Sequence, residues 1–202
     1  MSLEKSQNFE AMEKLRLEVK NCRKCDLWRH RRNPVLGDGN INASIVFIGE
    51  APGYWEDVKG LPFVGAAGKL LDEILGKAGI KRSEVYITNI VKCRPPENRD
   101  PNEREIEACH TYLDRQLNLI KPEIIVTLGR HSTSYIFSKA GIKFTSISEV
   151  QGKIYRAKFL GMNVYVIASY HPAAALYNIK LRGEIEKAIK LINEVKSELE
   201  KH

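Results

Sequence analysis

Four cysteines carry the clearest chemical signal in this sequence: Cys22-x2-Cys25 near the N-terminus and, after a long gap, Cys93-x15-Cys109. Two close thiols and two distant ones supply four soft donors able to converge on one centre, either zinc or a [4Fe–4S] cluster. Ligand count alone does not separate the two. Cys109 stands three residues after Ile106 on the apolar face of a helix and alone would pass for a core thiol. Cys22 and Cys25, flanked by Arg23, Lys24 and Asp26, do not fit a core. A second set is Glu50, Asn89 and His171, each placed near or just after the end of an apolar run. Singly they have plain roles: a carboxylate on backbone amides, a turn cap, a packed loop imidazole. Brought into one crevice, a carboxylate, an amide and an imidazole suit the reading of a planar heterocycle and the stabilisation of charge on it.

The elements that must position these groups follow from periodicity. A helix over residues 9–21 leads into the CxxC turn, and the basic run Trp28-Arg29-His30-Arg31-Arg32 ends in a turn at Asn33-Pro34. Residues 45–48 read as a buried strand broken by Gly49-Glu50-Ala51-Pro52-Gly53. A polar loop of roughly fifteen residues follows, with Glu56, Asp57 and the exposed-looking aromatics Tyr54, Trp55 and Phe63. Connections of this kind usually take about 2–6 residues, and long ones are commonly functional. Leu70, Leu71, Ile74, Leu75 and Ala78 then keep helical spacing, with Gly79 placed to cap the end.

Residues 85–91 read as a second strand, stopped by Pro95-Pro96 after Lys92, Cys93 and Arg94. Asp100-Pro101-Asn102-Glu103 reads as a helix start with Asp100 at the cap and Pro101 first in the helix. A third strand spans 124–128 and turns through Gly129-Arg130-His131 into another helix. A hairpin about Gly161 pairs 153–159 with 162–168 and delivers Ser169-Tyr170-His171-Pro172 to a strand end. The tail helix carries Ile185, Ile189, Ile192, Val195 and Leu199. Strands alternating with helices predict an α/β fold with a parallel sheet covered on both faces. Gly65-Ala66-Ala67-Gly68-Lys69 lacks the spacing and the hydroxyl of a phosphate loop, and Gly37-Asp38-Gly39 lacks the third glycine of a dinucleotide fingerprint.

The length of 202 residues predicts a single domain, 1–202. Its charged N-terminus lacks a signal peptide's apolar core, and no long apolar run reads as a membrane span, so a cytoplasmic protein is expected. Lysine and arginine (32) exceed aspartate and glutamate (25), giving a pI of about 9.2. That balance permits a polyanionic partner, and the 28–32 run reads equally as a phosphate strip or a solvated charge run.

Taken in order, CxxC, GEAPG followed by Glu56, LPFVG-AAGKLLD, TNIVKCRPP and HPAA resemble the family 4 uracil-DNA glycosylases over nearly the whole chain. The resemblance implies a three-layer αβα sandwich about a four-stranded parallel sheet. It implies a [4Fe–4S] cluster on Cys22, Cys25, Cys93 and Cys109, and removal of uracil from DNA to leave an abasic site. Such an enzyme extrudes its base and reads it in a tight pocket. By the resemblance Phe63 stacks on uracil, Asn89 reads its Watson–Crick edge, and His171 donates to O2 as charge builds there. Gly49 and Gly53 border the base, Gly53 holding the place of another family's thymine-excluding tyrosine. Ala51 stands where other families carry an aspartate or asparagine, which leaves Glu50 and Glu56 as the carboxylates for the attacking water. Leu176 is the expected wedge into the duplex, Tyr177 its rival, and Pro172 a further DNA contact. Uracil-containing DNA is the expected partner, with a sliding clamp or other repair proteins beyond it, although no clamp-binding peptide is visible; a monomer of prokaryotic, thermophilic origin is expected. A non-catalytic DNA-binding module would keep the cysteines but no pocket, and a zinc nucleotide hydrolase would want a carboxylate cluster that the sequence does not show.

Overall fold

The computed structural model describes residues 3–201. Helix α1 (Leu3–Asn21) precedes a two-residue strand β1 (Asp38–Gly39) and β2 (Ile45–Gly49). Next come α2 (Tyr54–Lys59), α3 (Ala66–Lys77), β3 (Tyr86–Asn89), α4 (Glu103–Ile120), β4 (Ile124–Leu128), α5 (Arg130–Lys139) and α6 (Ile147–Val150). The hairpin β5 (Ile154–Phe159) and β6 (Met162–Ser169) leads to α7 (Pro172–Tyr177) and α8 (Lys180–Leu199). One sheet orders its strands β1-β3-β2-β4-β6-β5. The inner four, β3-β2-β4-β6, are mutually parallel, in register with Gly49 opposite Asn89 and Leu128 opposite Ser169. The expected four-stranded parallel sheet is thus the centre of a six-stranded one, with β1 and β5 added antiparallel at the edges. The β5–β6 turn takes positive φ at Leu160 (49°) and Gly161 (82°), the paired left-handed residues whose twist suits a two-residue hairpin.

Alternation along β2 sets the three layers. Val46 and Ile48 face a core shared with Met12 and Leu15 of α1, Leu113 of α4 and Phe137 of α5. Ile45 and Phe47 face the opposite core, with Leu71 and Ile74 of α3 and Ile185 and Ile189 of α8. Every β2 residue is buried, as expected for a parallel strand covered on both faces. Removing the Phe47 ring would cost about 3–5 kcal/mol.

The structure corrects two local expectations. Helix α4 is capped by Asn102 and not by Asp100: Asn102 Oδ1 accepts from the Glu105 N–H, and Glu105 Oε2 accepts from the Asn102 N–H, both at 2.9 Å. A reciprocal box satisfies two orphan donors, more than a lone aspartate can, and Asp100 instead meets Arg130 at 2.8 Å. The long connection after β2 also holds a short helix, α2, begun at Gly53 and closed by left-handed Gly60. Among the described residues no helix is long and apolar enough to cross a membrane.

Candidate base pocket and cysteine centre

The chain leaves β2 to one side for β3 and returns to its other side for β4. The crevice between the carboxyl ends of β2 and β4 is therefore a topological switch point, where open α/β sheets bind ligands. A pocket of ≈ 280 Å3, counted to its open mouth, lies at this end of the sheet, lined by Ala51, Gly53, Glu56, Phe63, Ala67, Asn89 and His171. Two bare backbone positions admit its walls. A Cβ on Gly49 would collide with Asn89 Oδ1 and stand 2.7 Å from the Phe63 ring. At the end of β4, Gly129 (φ +103°) leaves room for groups reaching across that strand: a Cβ there would lie 2.5 Å from Glu50 Oε1 and 3.2 Å from His171 Cβ.

Asn89 is 1% exposed, and its Oδ1 has no hydrogen-bond partner among the described residues. A buried amide oxygen left unpaired is costly and calls for an explanation. His171 begins α7, and its Nδ1 accepts the Ala173 N–H at 3.1 Å. That bond leaves the proton of the neutral ring on Nε2. The ring stacks on Phe63 at 5.5 Å and 27°. His171 is held below its ordinary pKa by burial, against the opposing pull of Glu50, Glu56 and Asp100. The charges around it are acidic, and burial outweighs them in favour of the neutral ring.

Phe63 looked exposed in sequence and is buried, 5% exposed, in a left-handed conformation (φ 50°) unusual for a bulky residue. Two side chains hold it there. Glu56 Oε1 accepts from the N–H groups of Val64 and Gly65, both at 2.8 Å. The guanidinium of Arg82 donates to the Pro62 carbonyl at 2.6 Å and the Phe63 carbonyl at 3.2 Å, and pairs with Asp72 at 2.7 Å. Glu56 thus shapes the loop and still lines the pocket. Glu50 does not line it: its Oε1 accepts the His131 N–H at 3.0 Å, at the start of α5. Leu176 and Tyr177 of α7 are 49% and 93% exposed, and Pro172 is buried at the first position of that helix.

All four cysteines line a second cavity, ≈ 310 Å3. Arg31 Nη1 donates to Cys93 Sγ at 3.1 Å and the Lys92 N–H to Cys109 Sγ at 3.3 Å. Burial raises the thiols of Cys25, Cys93 and Cys109, the last to about 12, so thiolates need a compensating cation there. The one His/Cys/Asp/Glu group among the described residues with ligand atoms all within 4.8 Å of one another is Glu50, Asp100 and His131. The cysteine sulfurs are spread more widely than four thiolates placed about 2.3 Å from a single ion would be.

Sequence reasoning missed Lys92 and Arg82. Lys92 is wholly buried, its ammonium donating to Asn89 O at 2.6 Å, Thr88 Oγ1 at 2.8 Å and Gln116 Oε1 at 2.5 Å. Burial lowers it to about 7, opposed by Cys109 and Cys93. Its signal was a lysine wedged between an apolar strand and a cysteine. Nothing local marks Arg82, whose partners lie ten to twenty residues away.

Residues 36–195 match the family model described as the uracil DNA glycosylase superfamily. The chain is 55% identical over 188 residues to a type-4 uracil-DNA glycosylase of Sulfurisphaera tokodaii, covering 93% of this chain and 86% of that one. It is 53% identical to the type-4 enzyme of Archaeoglobus fulgidus, covering 93% and 94%. Similarity extends to a type-5 uracil-DNA glycosylase of Pyrobaculum aerophilum, at 30% identity over 78% of this chain and 74% of that one.

Proposed function

Because this chain belongs to the uracil DNA glycosylase superfamily, alongside its type-4 members, we propose that its pocket receives uracil extruded from DNA and that its residues hydrolyse the N-glycosidic bond. The unpaired, buried Oδ1 of Asn89 carries this reading. An amide offers an acceptor to uracil N3–H and a donor to O4, whereas cytosine presents the reverse pattern at those positions. The base completes a hydrogen bond that the protein leaves open. Phe63 supplies the face on which it stacks.

In the reaction the C1′–N1 bond breaks with its electron pair leaving on uracil, and a water oxygen bonds to C1′ while its proton passes through solvent to the departing uracil anion. His171 Nε2–H donates to uracil O2, where the departing charge collects, and the Ala173 N–H fixes that tautomer. A donor used chiefly in the transition state typically contributes about 10²–10³ in rate. Glu56 is the carboxylate better placed to orient the water, since it lines the pocket and keeps Oε2 free of the loop amides. Glu50 instead anchors the start of α5. Ala51 leaves room beside the base. Leu176 and Tyr177 offer exposed apolar surface to the gap left in the duplex. A monomer acting on uracil-containing DNA satisfies every role named.

The cysteine cavity fits a [4Fe–4S] cluster better than zinc, on the wide sulfur spacing and the N–H donors aimed at two sulfurs. Cys22, Cys25, Cys93 and Cys109 would hold it, tying the end of α1 to the segment between β3 and α4. Bound there it supplies structural cross-linking, since glycosidic hydrolysis transfers no electrons.

Base choice tests the reading. Asn89→Asp should abolish cleavage of a uracil oligonucleotide, scored on a gel after alkali, and can gain weak activity on cytosine, whose amino group a carboxylate accepts. Unchanged uracil cleavage by this variant would remove Asn89 from base recognition.

A further inference from the structure

Thirteen arginines occur in the sequence, and among the described residues eight pair with carboxylates. Four of the remaining five are Arg23, Arg31, Arg32 and Arg94. Arg31 is used internally, on Cys93 Sγ and the Lys20 carbonyl, and Arg23 lies 4.8 Å over Trp28. Arg32 and Arg94 differ from both. Their guanidinium carbons lie 5.2 and 5.1 Å from the centroid of one ring, Tyr54, and neither has a carboxylate partner among the described residues.

We propose that Arg32 and Arg94, held against Tyr54 on the lip of the base pocket, clamp the DNA backbone phosphate beside the extruded nucleotide. Position is the first argument. Tyr54 follows the pocket residue Gly53 directly and precedes the pocket residue Glu56 by two, so the ring that both cations touch belongs to the segment that walls the pocket. Pre-organisation is the second. The Arg32 N–H donates to Asp57 Oδ1 at 2.9 Å and the Asn33 amide to the Asp57 carbonyl at 2.9 Å, with Asp57 only 2% exposed. Arg94 Nε donates to Asn98 Oδ1 at 2.7 Å, and Arg32 Nη1 reaches Tyr54 Oη at 3.4 Å. Two side chains rich in rotamers are thereby ordered before any ligand arrives, which removes part of the entropy lost on binding.

Charge is the third argument. Two guanidiniums gathered on one ring repel each other, and the face of the ring offsets only part of that. A phosphate monoanion between them relieves the repulsion and accepts from both, as the planar guanidinium fork is shaped to do. The basic run at 28–32, equally a phosphate strip or a solvated face in sequence, is thereby divided. Arg29 is ion-paired to Asp26, Arg31 serves a sulfur, and Arg32 is left for an external anion.

The proposal relies on the pocket being the uracil site only for the word "extruded"; the phosphate contact itself is tested on DNA without uracil. Affinity of a fluorescein-labelled, uracil-free duplex would be measured from 50 to 300 mM KCl for wild type, Arg32→Gln, Arg94→Gln, the double variant and Tyr54→Leu. Visible absorbance would verify the cysteine centre in each, because Arg94 adjoins Cys93. We expect the double variant to bind about tenfold more weakly at low salt, and its salt slope to fall by about one to two. Arg32→Gln should lose about half of this, and Tyr54→Leu should weaken binding with the slope retained. Inhibition by free uracil should not change. A double variant with wild-type affinity and slope overturns the clamp, as does weaker binding at an unchanged slope. If Arg94→Gln loses the centre, Arg32→Gln alone decides. Slopes that fall as expected in a protein that fails to cleave uracil DNA would uphold the clamp and sink the uracil reading.

Discussion

Two cavities, the cysteine centre and the candidate base pocket, lie at opposite ends of one short segment, from Asn89 at the end of β3 to Cys93. They are finished in opposite ways. Around the cysteines, Arg31 and the Lys92 amide already serve the sulfurs. In the base pocket Asn89 Oδ1 is buried without a partner, and Phe63 is held in a left-handed conformation. One cavity already meets two of its four sulfurs with protein N–H donors, which suits a resident cross-link. The other keeps an open acceptor and a strained wall, which suits a ligand that arrives and leaves. Structures store strain and unmet polar atoms where function needs them, and here the two kinds of site stand four residues apart.

The contrast can be broken experimentally. The largest effect is expected from the closed cavity: Cys109→Ala should lose the visible absorbance and more than about 4 kcal/mol of stability, read as a collapse in Tm. A thermostable, colourless Cys109→Ala protein would refute a structural centre. Next comes the open pocket, where His171→Ala should lower the single-turnover rate by about 10²–10³, roughly 3–4 kcal/mol, while Tm and DNA affinity change little. If binding vanishes instead, the imidazole anchors DNA. Lys92→Met probes the wall between the cavities. It strips a donor from three acceptors, two of them buried side chains, and should cost about 2–3 kcal/mol of stability. A loss confined to the rate, with Tm intact, would move Lys92 into the pocket's account.

A smaller effect belongs to Arg82→Met, which frees the Pro62 and Phe63 carbonyls. The rate should fall about tenfold, through a loosened Phe63, with little change in salt dependence. The smallest is in pH. Because the pKa of His171 is lowered in the folded state, its neutral form persists below the ordinary value of about 6.5. The rate should be level from pH 8 to 6.5 and decline only as pH falls through the lowered pKa. Stability follows the same sign: the unfolded chain takes up the proton first, so the contribution is whole above about pH 6.5 and is lost in that same fall. A rate that rises on acidification would mean that imidazolium is the working form.

Much of this was legible in sequence because it rests on local rules. The unbroken apolar run of β2, the helical stripes of α3 and α8, and the Gly79 cap (φ +74°) follow from neighbours in the chain. Glu50, Asn89 and His171 could be placed near strand ends because each stands close to where an apolar run gives out. What escaped depends on contacts between distant residues. Phe63 looked exposed because its surroundings in sequence are polar; its burial comes from His171 and from Gly49, on other elements. The acidic neighbourhood of His171 is assembled from Glu50, Glu56 and Asp100, which no local window contains. The cap at Asn102 was misread because Asp-Pro is a strong start signal and the Asn102–Glu105 box, only two residues on, is a stronger one.

The strand order β3-β2-β4-β6 also governs when this enzyme comes to life. Asn89 and His171 share a pocket only after β4 has been seated between β2 and β6. A chain still emerging from the ribosome can own the four thiols and Asn89 and yet lack His171. Pairings so remote in sequence close late and slowly. Excision therefore reports on a completed sheet, and during heating it should vanish together with the whole fold and not ahead of it. An archive of activity against time at high temperature would, for this molecule, be a record of its unfolding rate.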